Sequence, residues 1–369
     1  MRIIITGGGT LGHIYPGLAI ADKLRKKADI LFIGTTNGIE SEVIQKEGFN
    51  FKGVDVQGWS GRNQVKFILK LIAAFFVGIK YLKEFKPDIV IGMGGYASVP
   101  VVLGAVLLKI KTLIHEQNLI PGKANRLLAK FVDKVAINFV DSKQYLPANK
   151  IEVTGNPIRA QIGRISRKEA LARFNLDANK FTLLVFGGSK GAHRINEVIK
   201  ETIDFLPEDK VQIIWATGDK DYQLIKEFTS KVGLKIVVEK FFYDLPVAYQ
   251  SADLVICRAG ATTLAEIIAC NLPAILIPYP YATDNHQEHN AKLLLEKGAA
   301  MMIKESELSG EKLTKTIIEL VQNRNKLNTM AKNYQSLKTT DATQNVIDII
   351  LKSNWFTKNH NSLSIDHSP

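Results

Sequence analysis

Two glycine-rich turns carry the clearest chemistry in this chain. Thr6-Gly7-Gly8-Gly9-Thr10-Leu11-Gly12-His13 follows the apolar run Ile3-Ile4-Ile5, and Gly187-Gly188-Ser189-Lys190-Gly191-Ala192 follows Leu183-Leu184-Val185-Phe186. A glycine turn that opens a helix aims free backbone N–H groups and the positive end of the helix dipole at one point, so each turn reads as a phosphate site. Gly7, Gly9 and Gly12 match the dinucleotide fingerprint. The second apolar run, however, ends Gly34-Thr35-Thr36, without the acid that holds a ribose in dinucleotide domains. Lys190 is followed by Gly191 and Ala192, with no Ser or Thr at the metal position of a P-loop. The turns point away from NAD and nucleoside triphosphate chemistry, and toward a phosphorylated ligand held between two similar halves.

Further polar words close other apolar runs. In the first half they are Gly92-Met93-Gly94-Gly95-Tyr96, His115-Glu116-Gln117-Asn118 and, at the joint, Gly155-Asn156-Pro157-Ile158-Arg159. In the second half Arg258-Ala259-Gly260-Ala261-Thr262-Thr263-Leu264-Ala265-Glu266 ends one run, and the segment 278–291, containing His286, Gln287 and His289, ends the next. The carboxyl edge of a parallel sheet is where open α/β folds bind ligands, and every one of these words falls on that edge.

The elements that must position them alternate along the chain. Apolar runs at 2–5, 30–33, 51–56, 89–91, 112–114, 135–137 and 151–153 are separated by helical spacing or turn residues, and a second series follows at 182–186, 212–215, 236–238, 254–257, 274–278 and 300–303. That alternation predicts two doubly wound parallel sheets in an α/β fold. The joint falls just after Gly155-Asn156-Pro157, dividing the chain into domains 1–157 and 158–337. After 310 the spacing is purely helical, the last helix, about 338–352, being placed to pack back on the first domain. The polar tail 353–369 has no periodicity and is expected to be disordered.

A chain of 369 residues, 46% hydrophobic, can bury two such cores. No leader pattern precedes the first strand, and Cys257 and Cys270 are the only cysteines, which argues for reduced, buried thiols in a cytoplasmic protein. The formal net charge of +12 suits an anionic partner. Nucleic acid is disfavoured because no aromatic–basic interleaving accompanies the charge. The run Leu71–Ile79, written Leu-Ile-Ala-Ala-Phe-Phe-Val-Gly-Ile, is bordered by Lys66, Lys70, Lys80, Lys83 and Lys86. It is too short to span a bilayer but suits a helix lying on an anionic membrane surface.

Taken in order from Arg2 to about residue 351, these words resemble the MurG family of glycosyltransferases. That family adds N-acetylglucosamine to the undecaprenyl-linked muramyl-pentapeptide precursor of peptidoglycan. The resemblance implies a GT-B fold of two Rossmann-like domains and an inverting transfer without an essential metal or other cofactor. The donor is UDP-N-acetylglucosamine. The acceptor is lipid I, the undecaprenyl-pyrophosphoryl-MurNAc-pentapeptide, glycosylated at its 4-hydroxyl to give lipid II. A place in cell-wall synthesis, cell shape and division follows, at the cytoplasmic face of the bacterial membrane as a peripheral protein. By the same resemblance Glu266 accepts hydrogen bonds from the ribose diol, and Ser189 with the second glycine turn binds the diphosphate beside Arg159. The backbone at Phe242 reads uracil, and Asn118 and Gln287 contact the sugar. Thr10, Leu11 and Gly12 reach across the cleft, and Ala261, Thr262, Thr263, Leu264 and Ala265 open the donor helix. The family's loop usually reads Gly-Gly-Thr-Gly-Gly-His, whereas Leu11 here replaces a glycine and is expected to restrict approach of the backbone to a ligand.

The transfer needs a base for the attacking hydroxyl. His13, closing the first glycine turn, is the candidate by type and position, with Glu116 as the alternative. Asp219-Lys220-Asp221 has the DxD spacing of metal-dependent glycosyltransferases but reads as the start of a helix over 222–231. His286 and His289 lie one helical turn apart without an HExxH pattern, so no metal site is expected. Two other functions remain open on the sequence: a UDP-N-acetylglucosamine 2-epimerase, which shares the architecture, and a non-catalytic nucleotide-sugar-binding protein.

Overall fold

Strands buried on both faces of a parallel sheet are continuous in Ile, Val and Leu instead of alternating with polar residues, and nearly every apolar run of this chain is of that kind. A computed structural model describes residues 1–36, 38–56, 64–188 and 191–352 and places these runs in two all-parallel sheets. The first contains β1 (Arg2–Thr6), β2 (Asp29–Thr35), β3 (Asn50–Val54), β4 (Ile89–Gly92), β5 (Lys111–Glu116), β6 (Lys134–Ile137) and β7 (Ile151–Val153), in the order β3-β2-β1-β4-β5-β6-β7. The second contains β8 (Phe181–Phe186), β9 (Val211–Ala216), β10 (Ile236–Glu239), β11 (Leu254–Cys257), β12 (Ala274–Leu276) and β13 (Ala300–Met302), in the order β10-β9-β8-β11-β12-β13.

The direction of winding reverses beside β1 and beside β8, where parallel pairing runs β1 to β4 and β8 to β11. Crossovers leaving opposite faces of a sheet open a crevice at that point, and both glycine turns begin there. Each sheet is covered on both sides. Ile3 and Ile5 pack beneath helix Leu11–Leu24, while Ile4, Leu31 and Ile33 face Ala74, Leu82, Val101 and Val102 on the other side. Helix Gln64–Phe85 closes onto helix Ser98–Leu107 at two glycines. A Cβ on Gly78 would lie 3.5 Å from Val101 Cα, and one on Gly104 would lie 3.1 Å from Ile79 and Leu82.

The chain crosses back at its end. Helix Ala342–Lys352 buries Val346, Ile347 and Ile350 in the core of the first sheet. Asn345 Nδ2 donates to Thr154 O at 3.1 Å, and Lys23 pairs with Asp341 at 2.6 Å. The tail 353–369, Ser189, Lys190 and the side chain of Lys66 lie outside the described residues.

Asp221 opens helix Tyr222–Thr229 at the N-cap position, as expected, although its side chain makes no capping hydrogen bond. Its carboxylate instead accepts from Asn196 Nδ2 at 2.7 Å and pairs with His193 Nδ1 at 2.9 Å. Asn196 is itself fixed by Trp215 Nε1 donating to its Oδ1 at 3.0 Å, so a rigid buried donor outcompetes the helix amides. Cys257 is fully buried, but Cys270 is only partly so. Burial and the nearby Glu266 charge push the Cys270 thiol up to about 12, which keeps it protonated and inert.

Truncating the returning helix tests how much the first sheet relies on it. Ile350→Ala removes a fully buried side chain and is expected to cost about 2–5 kcal/mol, read as a lowered urea midpoint by circular dichroism. An unchanged midpoint would show that the helix contributes little to that core.

Candidate active site

The carboxyl edges of the two sheets meet through a small set of polar contacts. Thr262 Oγ1, in the first turn of helix Ala261–Cys270, donates to Gly12 O at 2.7 Å and accepts from Asn156 Nδ2 at 3.2 Å. Asn290 Oδ1 accepts from Leu119 N at 3.0 Å, and Asn290 Nδ2 donates to Asn118 Oδ1 at 3.2 Å. Arg126 pairs with Asp284. His13, Asn118 and Thr262, far apart in sequence, thus share one cleft.

Local chain chemistry sets the first wall. Thr10 caps helix Leu11–Leu24 in extended conformation after Gly9, whose φ of +88° favours glycine. Leu11 is buried in the core beside Ile14, so its side chain turns inward and leaves the ligand side of the turn open, contrary to expectation. The turn Gly92–Tyr96 lies directly against the first glycine turn, and a Cβ on Gly95 would strike Gly8 O at 2.2 Å. The first turn also departs from the phosphate reading. Glu40, 1% exposed, accepts from Gly9 N at 3.3 Å and Thr35 N at 3.1 Å, and also from the Thr35 hydroxyl. A resident carboxylate already answers the loop amides, so this turn suits hydroxyl groups better than a second anion. Sequence spacing missed Glu40 because it lies in the helix after β2 and not at the strand's end.

His13 sits half-buried at the floor of this wall, with Nδ1 3.0 Å from Gln117 Oε1. Burial lowers its pKa below the ordinary 6.5, and the charge of Glu116 partly opposes that shift. Glu116 is 1% exposed and accepts four hydrogen bonds. They come from Asn118 N at 2.9 Å and Asn118 Nδ2 at 3.1 Å on Oε1, and from Gly122 N at 3.0 Å and Asn125 Nδ2 at 2.9 Å on Oε2. Its oxygens shape the 117–122 loop and hold a negative charge behind His13.

The second wall carries the other named residues. Gly188 and Gly191 take φ of +92° and +74° just before helix His193–Ile203. Glu266, 3% exposed, accepts from Arg159 Nε at 2.9 Å and Nη2 at 2.8 Å through Oε1, and from the Tyr249 hydroxyl at 3.0 Å through Oε2. The Arg159 guanidinium also lies 4.4 Å over the Tyr15 ring, joining both halves. Burial disfavours the Arg159 charge, yet Glu266, Tyr249 and Tyr15 together outweigh it and raise the guanidinium further; burial and the Glu266 carboxylate push the Tyr249 phenol well up. Two expected ligand contacts therefore hold each other. Gln287 Oε1 accepts from Ala259 N at 3.2 Å and Tyr279 N at 3.0 Å, leaving only its amide N–H groups for a ligand. Phe242 is buried against Phe174 at 5.6 Å, so its ring is part of the core. Leu264 is core, while Thr263 and Ala265 are half-buried.

Residues 3–137 match the glycosyltransferase family 28 N-terminal domain, and residues 182–346 match the family 28 C-terminal domain. A relative from Halothermothrix orenii is 46% identical over 95% of this chain and 98% of its own. One from Bacillus subtilis is 40% identical over 95% and 99%. Both are named UDP-N-acetylglucosamine–N-acetylmuramyl-(pentapeptide) pyrophosphoryl-undecaprenol N-acetylglucosamine transferase. The crystal structure of MurG from Acinetobacter baumannii superimposes with a TM-score of 0.75 at 30% identity, covering 95% of this chain and 99% of that one. A UDP-GlcNAc 2-epimerase from Neisseria meningitidis shares the fold, with a TM-score of 0.69 over 96% of this chain and 100% of that one, at 14% identity. Both domain matches in order, with 40–46% identity over nearly whole chains, establish that this chain belongs to the MurG family of glycosyltransferases, within glycosyltransferase family 28.

Proposed function

We propose that this chain transfers N-acetylglucosamine from UDP-N-acetylglucosamine to the 4-hydroxyl of undecaprenyl-pyrophosphoryl-MurNAc-pentapeptide, with inversion at the anomeric carbon. The observation that carries the reading is the 2.7 Å bond from Thr262 to Gly12. It sets His13, the next residue, beside the amino end of the helix that holds Glu266. A base on one wall then stands next to a leaving-group site on the other.

In the reaction the acceptor O4 attacks C1 of the sugar as its proton passes to His13. The bond from C1 to the diphosphate oxygen breaks, and its electron pair leaves with UDP. The amino ends of helices His193–Ile203 and Ala261–Cys270, with the Arg159 charge, meet the developing negative charge on the leaving group. Glu116 steadies the imidazolium that forms. Glu266 receives the ribose diol on the lone pairs that Arg159 and Tyr249 leave open, and Ser189 lies on the diphosphate turn. Gln287 and Asn118 border the sugar, and the backbone near Phe242 reads the base. In this reading the acceptor and the membrane belong to domain 1–157 and the donor to domain 158–337.

Helix Gln64–Phe85 gives the first domain a membrane-facing side. Val65, Ile68, Leu69, Ile72 and Phe76 are all exposed and recur at i, i+3, i+4, i+7 and i+11, one stripe opposite the Gly78 face. Lys70 is paired with Asp55 at 2.9 Å, and Lys80 lies 3.8 Å from Glu84. Apolar burial therefore leads at this surface, with anionic lipid adding to it. The enzyme works peripherally, at the cytoplasmic face of the membrane, while the polyprenyl chain stays in the bilayer.

UDP release measured with and without a lipid-linked muramyl-pentapeptide acceptor tests the reading directly: product must require both substrates. His13→Ala should lower kcat about 10²–10⁴-fold with little change in donor affinity. In the wild type kcat/KM should fall as pH drops through a value below 6.5, because burial depresses the base. Near-normal turnover in the variant would remove His13 from the mechanism. Glu266→Gln should weaken UDP binding by about 1.5–3 kcal/mol in calorimetry, and unchanged binding would move the ribose elsewhere. Ile68→Asp with Phe76→Asp should reduce vesicle co-sedimentation about tenfold while sparing activity on a short-chain soluble acceptor. Equal sedimentation of variant and wild type would return the stripe to ordinary surface.

A further inference from the structure

Gln117 is 2% exposed, yet it links three groups that matter to His13. Its Nε2 donates to Met93 O at 2.9 Å and lies 3.2 Å from His115 Nδ1, while its Oε1 lies 3.0 Å from His13 Nδ1. At the far end, His115 Nε2 is 2.9 Å from Gly155 O. Two of the fixed points are backbone carbonyls, which only accept. Gly155 O therefore requires the proton on His115 Nε2, and neutral His115 then presents Nδ1 as an acceptor. Met93 O and His115 Nδ1 both require the nitrogen of the Gln117 amide, which turns its oxygen toward His13. An oxygen facing His13 Nδ1 requires a proton there.

We infer that Gln117, with His115 and the Gly155 carbonyl behind it, is a positioning residue that locks His13 in the Nδ1–H tautomer and keeps Nε2 bare to receive the acceptor's proton. The inference rests on the reading of His13 as the base. The chain of bonds orients and does not conduct: when Nε2 takes the proton, Nδ1–H stays on Gln117 and nothing leaves the ring. His115 is fully buried, and burial lowers its pKa to about 4, so the chain keeps one polarity across the working range. A protonated His115 would offer Nδ1–H to Gln117 and undo that polarity. The charged groups acting on His13 are Glu116, which favours its protonation, and His286, which disfavours it, while His13 in turn helps to lower His115. The lock also explains two local features. Gly155, with φ of +77° and Thr339 at 2.7 Å from where a Cβ would stand, holds its carbonyl in a position other residues reach only with strain. Asn125 Nδ2 and the Gln117 amide share the carbonyl of His115, bracing the segment from both sides.

Long-range ¹H–¹⁵N NMR on protein labelled at its seven histidines reads the tautomer without substrate, with His13 assigned by the signal lost in His13→Ala. The expected wild-type spectrum has Nδ1 protonated and Nε2 bare; the opposite tautomer overturns the inference. Gln117→Leu should let the Nε2–H form appear and lower kcat at least about tenfold, with donor KM held within about twofold. Gln117→Glu keeps an oxygen toward Nδ1 and adds charge, so the tautomer should persist while the acid limb of kcat/KM moves to higher pH. A folded Gln117→Leu protein with unaltered tautomer and pH profile would show a merely structural role. Should that variant fail to fold, the wild-type spectrum and Gln117→Glu decide the matter. The His13→Ala turnover measurement stands apart: it can remove the base while the spectrum still shows the lock.

Discussion

The cleft depends on a carbonyl that its own helix does not use. Pro16 lies within helix Leu11–Leu24 and has no N–H, so the carbonyl four residues earlier, at Gly12, lacks its ordinary partner. Thr262 of the other half supplies the donor instead, at 2.7 Å. A local defect in one helix is thereby converted into a tie between the two sheets. The tie falls at the residue before His13 and in the first turn of the helix that carries Glu266. Because an unsatisfied buried carbonyl is costly, the apposition has a free-energy reason beyond surface complementarity.

The two halves repeat one topology but have been given opposite electrostatic characters. Both place a glycine turn at the reversal of strand order, where α/β folds gather ligands. In the second half a glycine turn leads into helix His193–Ile203, and Arg159 is held by Glu266 on helix Ala261–Cys270; on the proposed reading this wall takes the diphosphate. In the first, Glu40 folds back onto the turn, and Glu116 behind His13 partly offsets the burial that lowers its pKa, an environment that repels anions. The difference divides the work. On the proposed mechanism, charge developing on a leaving group belongs on one wall, and a base that gains positive charge belongs on the other.

Much of this was legible in the chain. Thirteen apolar runs predicted the thirteen strands seen among the described residues because residues buried on both faces leave a continuous apolar signal, and the polar words followed because they end those runs. Strand limits were less legible: β12 stops at Leu276 although the run continues to 278, since strand pairing and not hydropathy sets the end. The site's wiring was not legible. His13 to Gln117 spans 104 residues and Gly12 to Thr262 spans 250, and no local pattern encodes which side-chain atom meets which carbonyl. The roles of Glu40, Gln117, Tyr249 and Asn290 were missed for that reason. Each is an ordinary residue in sequence that becomes particular only through partners brought by the fold.

The same distinction separates the residues that bear charge from those that aim it. Glu266 and Arg159 were both visible as chemistry, but their mutual pairing means that neither enters the cleft as a free ion. A buried pair of this kind gains little by itself, because desolvation offsets most of the attraction. Its use lies in geometry. Tyr249 and Arg159 fix the carboxylate from two sides, and Tyr15 on helix Leu11–Leu24 stacks on the guanidinium from the other half. The Glu266 carboxylate is thus oriented by the helix that also carries His13. Through that shared helix, the distance between Glu266 and His13 is set by packing within the protein and not left to any ligand.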